Sequence, residues 1–420
     1  MAASVALDVT RPTIARPSRR LIPLLEAGLV IGLTLVFLDS PLSVAGKAIV
    51  VGISALTAVA VGSGKVNKRP GAVIAPLVIG AIGLPISVGY AVARLVEGAW
   101  LGGTIGVLAG VAAAVLLGWG AVTIVRAATG WWRVAVAVAI VASGALYLQF
   151  VLMPLAAATL GVHPPRMPIA GTLPGARDVS FPTPDGARIG AWYAPSANGA
   201  TVILLPGSTG SRSDTLAHAS VLVSNGYGVL AVDSRGAGTS TDYGNMWGWT
   251  GGDDIAGAIG WLYDTGVPYG SIGLLGLSMG GEQAVTATSD SDIVNHVGAV
   301  VAEGVAARVP GDLWFEGTDP RATVARIVST TMWTLADIWT EGSAPPTLGT
   351  VATMNTTVPV LVIAADAADE RAVAADMAQR SAMFEVWQTS GIGHVQALEL
   401  DPNEWQSRVI DFLDRELLEQ

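Results

Sequence analysis

Residues 276–280 read Gly-Leu-Ser-Met-Gly, with small residues two places before and two places after the serine. The apolar run Ser271–Leu277 leads into this segment, and a helix-like stretch begins at Gly281. A tight turn from strand to helix needs such small residues, because the backbone bends sharply beside the central side chain. The turn exposes the hydroxyl at a helix N-terminus, where backbone N–H groups favour developing negative charge. The segment therefore predicts Ser278 as a nucleophile.

A serine hydroxyl is a weak nucleophile at neutral pH and needs a base within hydrogen-bond reach, which a third group orients. Of the four histidines, only His394 both follows Ser278 and sits on a glycine-flanked loop. This loop lies between a predicted strand, Phe384–Gln388, and the last predicted helix, Asn403–Leu418. We therefore expect His394 to take the proton of the serine.

Three carboxylates crowd the end of the apolar run Val358–Ala364, at positions 366, 369 and 370. Asp366 follows the run closely, so we predict that Asp369 is the acid that orients the histidine. Glu370 is a plausible substitute, and Asp366 stays a further alternative.

An oxyanion needs two backbone N–H donors. The N–H of Met279 directly follows the predicted nucleophile. The second donor should come from the glycine-rich segment 206–210, which follows the apolar run Ala200–Leu205. We predict the N–H of Ser208 for this role.

The elements that must position these residues alternate along the second half of the chain. Short strands and continuous apolar runs of strand length are separated by helical stretches such as Asp253–Tyr263 and Gly281–Thr288. Continuous apolar strands indicate a sheet buried on both faces, and intervening helices indicate mostly parallel strands. The predicted strands are Arg177–Phe181, Arg188–Ala194, Ala200–Leu205, Gly228–Val232, Ser271–Leu277, Val297–Val301, Val358–Ala364 and Phe384–Gln388.

Residues 177–420 resemble an α/β-hydrolase fold domain. The chain order of Ser278, Asp369 and His394 matches that family, and residues 233–238, Asp-Ser-Arg-Gly-Ala-Gly, resemble its Asp-x-Arg-Gly-x-Gly segment. One departure is the Pro-Gly at 206–207, where many relatives carry His-Gly. The resemblance implies a mostly parallel sheet flanked by helices, serine hydrolase chemistry, and a small cap at about 305–355.

The first 160 residues have the composition of a membrane domain. Four runs contain no Asp, Glu, Lys or Arg, and a fifth over 21–38 contains only Glu26. Because about 20 apolar residues in helix cross the hydrocarbon core, we predict about five transmembrane helices within residues 21–160. The four uncharged runs are 48–64, 70–93, 98–125 and 134–165.

The basic residues flanking these runs predict the orientation of the membrane domain. Nine lie on the side of the basic N-terminus, 1–20, and two on the other side. Positive residues favour the cytoplasmic side, so five spans place the Pro-rich linker 161–176 and the domain 177–420 outside the plasma membrane. A cleavable signal peptide is an alternative interpretation of the first span, and it leaves that domain outside as well.

Composition excludes several classes of function. The chain is 51% hydrophobic and 13% charged, which argues against a wholly soluble protein. Residues 171–420 carry 29 acidic and 11 basic side chains, so this half should repel nucleic acid. The absence of cysteine excludes disulfides and thiolate sites. No spacing of His, Asp and Glu resembles a zinc or calcium site, so we expect neither metal nor cofactor.

These observations predict a membrane-anchored serine hydrolase that cleaves an ester, thioester or amide bond of a small-molecule or lipid acyl substrate through an acyl-enzyme, with an ester favoured over a peptide. Its expected partners are the lipid bilayer and that substrate. Two alternatives stay open at this point. One is a non-catalytic, hydrolase-like sensor or binding domain on a membrane anchor. The other is a transporter or lipid-handling protein with an accessory hydrolase domain.

Overall fold

The computed structural model describes residue 29 and residues 71–96, 99–154, 168–208, 210–241, 246–314, 319–339 and 344–419. The basic N-terminus and the predicted spans over 21–38 and 48–64 lie outside these ranges, apart from Leu29. Residues 161–167 of the predicted linker also lie outside them, and residues 168–176 form neither helix nor strand.

Three helices account for the described N-terminal part: α1 (Gly71–Val96), α2 (Trp100–Ala127) and α3 (Trp132–Tyr147), with a π-helical turn over Leu148–Leu152 after α3. Two helical stretches are long and apolar enough to cross a membrane, Trp100–Ala127 and Trp132–Leu152. The apolar stretch of α1, Pro76–Ala91, is shorter. The prediction of about five spans thus has two candidates in the described part of the chain.

Small residues allow α1 and α2 to approach closely. A side chain at Gly106 would contact the backbone of Ala91 at 2.8 Å, and one at Gly120 would overlap the side chain of Leu77. Helix α3 differs, because none of its side chains is fully buried. Large apolar side chains along α3 are 62–73% exposed, as at Val134, Val138 and Val141. An apolar surface of this kind is typical of a helix that faces lipid.

The C-terminal part is built on one eight-stranded sheet with the order β1-β2-β4-β3-β5-β6-β7-β8. Strand β2 pairs antiparallel with β1 and β4, and the remaining pairs are parallel. This architecture confirms the predicted mostly parallel sheet. The strands are β1 (Arg177–Pro182), β2 (Arg188–Ala194), β3 (Thr201–Leu205), β4 (Gly228–Val232), β5 (Ile272–Leu277), β6 (Ala299–Glu303), β7 (Val360–Ala364) and β8 (Phe384–Gln388).

Helices cover both faces of the sheet, which explains why its central strands are apolar except for Thr201 and Glu303. Successive residues of β5 point to opposite faces, with Leu274 in one buried cluster and Leu275 in the other. The helices of this region are α4 (Leu216–Ser224), α5 (Gly251–Asp264), α6 (Met279–Ala287), α7 (Pro320–Trp339), α8 (Leu348–Met354), α9 (Ala368–Arg380), α10 (Ala397–Leu400) and α11 (Pro402–Leu417).

Each face has its own set of helices. Helices α5, α6, α8 and α9 contribute to one buried cluster. Helices α4, α10 and α11 contribute to the other. Helix α11 begins where Asp401 caps it, since its carboxylate accepts the N–H of Glu404 and Pro402 occupies the first turn. Because the paired strands β3 to β8 run parallel, their carboxyl ends meet at one edge of the sheet. Sites of open α/β sheets lie at this edge.

The segment 305–355, predicted as a cap, has two parts. Helix α8 belongs to the sheet core, because Leu348 and Val351 are fully buried in the cluster of α9. Helix α7 is largely exposed, with Ile327 47% exposed and only Trp333 fully buried among its described side chains. The described part of this segment that stands apart from the core is therefore α7.

Candidate active site

The nucleophile turn, residues 276–280, joins β5 to α6. Ser278 has φ +54° and ψ −121°, a backbone conformation that serine rarely adopts. Its N–H donates to the carbonyl of Glu303 on the neighbouring strand at 2.7 Å. A Cβ at Gly276 would overlap the carbonyl of Gly280, and a Cβ at Gly280 would overlap that of Leu205. The small residues of the sequence pattern are thus required by backbone contacts.

The histidine loop, residues 389–396, brings its imidazole to the serine. The Nε2 atom of His394 lies 2.9 Å from the Oγ atom of Ser278, across 116 positions of the chain. The imidazole side chain is 51% exposed. Val395, directly after the histidine, has φ +55°, which is strained for a β-branched residue. The predicted serine and histidine are therefore within hydrogen-bond distance.

The acid loop, residues 365–370, corrects the prediction of the third residue. Nδ1 of His394 lies 2.7 Å from Oε1 of Glu370, not from the carboxylate of Asp369. Helix α9 begins at Ala368, so position 369 faces solvent and position 370 faces the sheet. The carboxylate of Asp369 instead accepts the N–H of Glu370 at 3.0 Å.

Glu370 is held on both of its oxygens. Its carboxylate is 3% exposed, and Oε2 accepts the N–H of Ala365 at 2.8 Å while Oε1 faces the imidazole. The hydrogen bond from His394 to this carboxylate raises the pKa of the imidazole above its usual 6.5. A buried, anchored carboxylate of this kind stabilises the imidazolium that forms when the histidine takes a proton.

Asp366, the other alternative, secures the histidine loop instead. Its carboxylate accepts the N–H of Gly391 at 3.0 Å and forms an ion pair with Arg371. Its backbone N–H donates to the carbonyl of Ile392 at 2.8 Å. These contacts, the hydrogen bond to Gly391 foremost, lower the pKa of the Asp366 carboxyl below its usual range. The loops that carry the acid and the histidine are therefore joined directly.

The side of the serine where an oxyanion would form is lined by backbone. Met279 is the first residue of α6, so its N–H is one of the unpaired donors that begin a helix. The loop after β3 also approaches the nucleophile, since a Cβ on Gly207 would lie 3.5 Å from Cβ of Ser278. Ser208 follows in this loop and is exposed. The structure places both predicted donor segments beside the serine.

Two buried ionisable side chains, Glu282 on the nucleophile helix α6 and Arg308, were not singled out by the motifs. The carboxylate of Glu282, one turn after Ser278, accepts the N–H groups of Ala306 and Ala307 at 3.4 and 3.2 Å. Burial raises the pKa of Glu282 to about 7, and burial lowers the pKa of Arg308 to about 10. The available signal was the position of Glu282 four residues after the serine, on the same helical face.

Aromatic side chains from two segments meet beside Arg308. The indole ring of Trp333 on α7 lies 4.8 Å from that of Trp247 and 6.2 Å from that of Trp249, measured between centroids. Nε1 of Trp249 donates to the carbonyl of Arg308 at 3.1 Å. Trp333 of the predicted cap thus packs on the turn that precedes α5.

The segment 233–238 organises the neighbouring edge of the sheet. Arg235 pairs with Asp185 and Asp254, and Asp233 accepts hydrogen bonds from the backbone and guanidinium of Arg212. Both arginine side chains are 1% exposed. Such buried, bidentate pairs position the loops that they join.

Among the residues that the structure describes, no group of three or more His, Asp or Glu side chains is arranged to hold a metal ion.

The strand–turn–helix at Ser278 and the chain order of serine, acid and histidine define residues 177–419 as an α/β-hydrolase fold. No protein-family model and no curated protein sequence matches the chain.

Several solved structures resemble it. A Pyrococcus furiosus esterase, Pf2001, is 24% identical with a TM-score of 0.49, over 61% of this chain and 98% of that one. An esterase from Exiguobacterium antarcticum is 18% identical with a TM-score of 0.42, over 57% and 100%. A proline iminopeptidase from Mycobacterium smegmatis is 15% identical with a TM-score of 0.41, over 58% and 99%.

Proposed function

We propose that this protein is a membrane-anchored serine hydrolase that cleaves esters through a Ser278–His394–Glu370 triad. The observation that carries the proposal is the continuous path from Oγ of Ser278 to Nε2 of His394 at 2.9 Å, and from Nδ1 to Oε1 of Glu370 at 2.7 Å. Three segments far apart in the chain converge to make this path. A serine is activated by such an arrangement and is a poor nucleophile without it.

In the first step, Oγ of Ser278 attacks the ester carbonyl carbon while its proton passes to Nε2 of His394. The carbonyl oxygen becomes an oxyanion, for which the backbone N–H groups of Met279 and Ser208 are the proposed donors. The C–O bond to the leaving group then breaks, and the alcohol departs with the proton held on Nε2. The product of this step is an acyl-enzyme on Ser278.

In the second step, water attacks the acyl carbonyl carbon and gives one proton to His394. The ester bond to Oγ breaks, the serine regains a proton from Nε2, and the carboxylic acid leaves. Glu370 stays ionised throughout and keeps the Nδ1 proton of His394 in place, which is the role of a triad carboxylate. The anchoring of its second oxygen by the N–H of Ala365 at 2.8 Å suits this role.

The proposed site of action is the bilayer surface. Two helical stretches of suitable length and hydropathy precede the catalytic domain, and the side chains of α3 are open to their surroundings. We infer that these helices anchor the enzyme, with residues 177–420 outside the plasma membrane, beside lipid or other acyl substrates. Protease added to intact cells should then digest residues 177–420, and protection of this domain would contradict the orientation.

The test of the reaction uses the full-length chain in detergent micelles. A fluorophosphonate probe should label the wild-type protein, and mass spectrometry should place the adduct on Ser278. Ser278→Ala should abolish labelling and hydrolysis of a panel of acyl esters of graded chain length. Ser291→Ala is the matched control, since this exposed serine donates a hydrogen bond to the carboxylate of Asp292 and lies outside the site. An unlabelled wild-type protein with no ester hydrolysis would refute the proposed function.

A further inference from the structure

Glu303 ends strand β6 and Gly304 directly follows it; this strand lies between the strand that leads to the nucleophile and the strand that precedes the acid loop. The carbonyl of Glu303 accepts the N–H of Ser278 at 2.7 Å. The N–H of Gly304 donates to the carbonyl of Ile363, in β7, at 3.0 Å. The main chain of this dipeptide therefore ties the nucleophile turn to the strand that leads to Glu370.

The side chain of Glu303 reaches the segment that carries the histidine. Its carboxylate is 3% exposed and accepts the N–H of Ala397 and the Nε1–H of Trp405, each at 3.0 Å. Ala397 follows His394 by three positions, at the start of α10. The carboxylate thus fixes the chain where the histidine loop ends and fixes the helix α11 behind it.

One further group faces this carboxylate. Nε2 of His218, on α4, lies 3.8 Å from Oε2 of Glu303, which is beyond hydrogen-bond distance. The imidazole packs edge-on against Trp405, with ring centroids 5.2 Å apart. The two donors at 3.0 Å are therefore the contacts through which Glu303 holds its surroundings.

The histidine loop needs such an anchor because its backbone is strained. Val395 has φ +55°, a region that β-branched side chains disfavour. Gly304 lies directly against the same loop and has φ +76°. A Cβ at this position would lie 2.8 Å from Cγ2 of Val395 and 2.9 Å from Cε1 of His394. The carboxylate of Glu303 therefore holds the end of the loop. Gly304 has no side chain and so leaves room for the imidazole.

We propose that Glu303 is a positioning residue that sets the distance between His394 and Ser278, acting through the N–H of Ala397 and the carbonyl contact to the nucleophile turn. It does not contact the reacting atoms. This role rests on the proposed hydrolase function. Because the imidazole must meet the hydroxyl at hydrogen-bond distance, loss of this anchor should slow proton transfer even in a folded protein.

The test compares Glu303→Gln with the wild type in the full-length chain. Glutamine keeps the shape and one acceptor but places an NH2 group against a donor of Ala397 or Trp405. We expect the rate constant of fluorophosphonate labelling at Ser278 to fall about 10- to 100-fold, as for a misplaced catalytic group. The kcat per active site, with the sites counted by titration with the probe, should fall by the same factor. KM for the ester should change little. Glu385→Gln, on the exposed face of β8, is the matched control and should keep the wild-type rate.

A structural role alone gives a different result. Glu303→Gln would then lower the midpoint of thermal unfolding and the fraction of protein that the probe titrates, while kcat per titrated active site, measured before labelling, stayed at the wild-type value. That outcome overturns the inference. If Glu303→Gln does not fold, Glu303→Asp keeps the charge but draws the carboxylate back from the N–H of Ala397, and a folded variant with the wild-type labelling rate overturns it equally. A wild-type protein that resists the probe refutes the proposed function itself, and the inference with it.

Discussion

The nucleophile turn and the acid loop follow neighbouring parts of the same sheet edge, yet they depend on different kinds of contact. In the turn, backbone atoms approach so closely that Gly276 and Gly280 admit no side chain. In the acid loop, three carboxylates occupy positions 366, 369 and 370, and only the third is buried. Backbone contacts therefore dictate residue type in the turn, within the turn for Gly276 and with β3 for Gly280, whereas burial separates the three carboxylates of the loop.

The comparison extends to their exposure. Glu370 is 3% exposed, while Asp366 and Asp369 are exposed to solvent. A charge in water is screened and contributes little to the orientation of a partner. A buried carboxylate with both oxygens bonded holds one geometry. The proposed triad thus combines a rigid nucleophile turn with the one buried carboxylate among three similar side chains.

The strongest test asks whether the two regions act as one unit. We expect Ser278→Ala and His394→Ala each to lower kcat by about 10⁶-fold or to the detection limit, because neither group works alone. The double variant should be no slower than either single variant. Ester hydrolysis by purified proteins measures this, and effects that multiply would show that serine and histidine contribute independently.

The next test separates the two neighbouring carboxylates. Glu370→Gln should lower kcat by roughly 10³- to 10⁴-fold, because the amide holds the wrong tautomer of the imidazole. Asp369→Asn, its matched control one position away, should stay within about threefold of the wild type, since an exposed charge contributes little. Steady-state kinetics on one ester measures both, and equal losses in the two variants would contradict the role of Glu370.

A third test addresses the glycines of the nucleophile turn. Gly280→Ala should destabilise the protein by about 1–3 kcal/mol or more, since the added Cβ overlaps the carbonyl of Leu205. Gly260→Ala on helix α5 is the control, because a Cβ there meets no atom within 4 Å. That change should stabilise the helix by about 0.5–1 kcal/mol. Thermal unfolding measures the difference, and similar shifts for both variants would remove the packing argument.

The smallest expected effect concerns pH. The base must be neutral to accept a proton, so kcat/KM should fall as the pH drops through the pKa of His394, which lies above 6.5 because of the hydrogen bond to Glu370. Asp369 also raises this pKa through its charge. Asp369→Asn should therefore shift the acid limb to lower pH, and high salt should reduce the difference between the two profiles. An unshifted limb at low ionic strength would show that the exposed charge does not reach the imidazole.

Much of the molecule follows from patterns that are local in the chain. Apolar runs of strand length predicted the sheet, because strands covered on both faces carry few polar residues. The glycines around Ser278 predicted the turn, because the sharp bend of the backbone leaves no room for larger side chains beside the serine. Uncharged stretches predicted helices such as α2, whose length and hydropathy suit a membrane. Each of these signals lies within about 30 consecutive residues.

The tertiary structure decided what depends on distant contacts. Whether residue 369 or 370 meets the imidazole turns on where α9 begins, and adjacent positions of a helix face different directions. The link from Glu303 to the histidine loop spans 94 positions of the chain. Side chains this far apart in sequence are brought together only when the sheet assembles. Composition and spacing therefore predict the kinds of residue in the site. The choice among similar residues, such as the carboxylates at 366, 369 and 370, depends on packing.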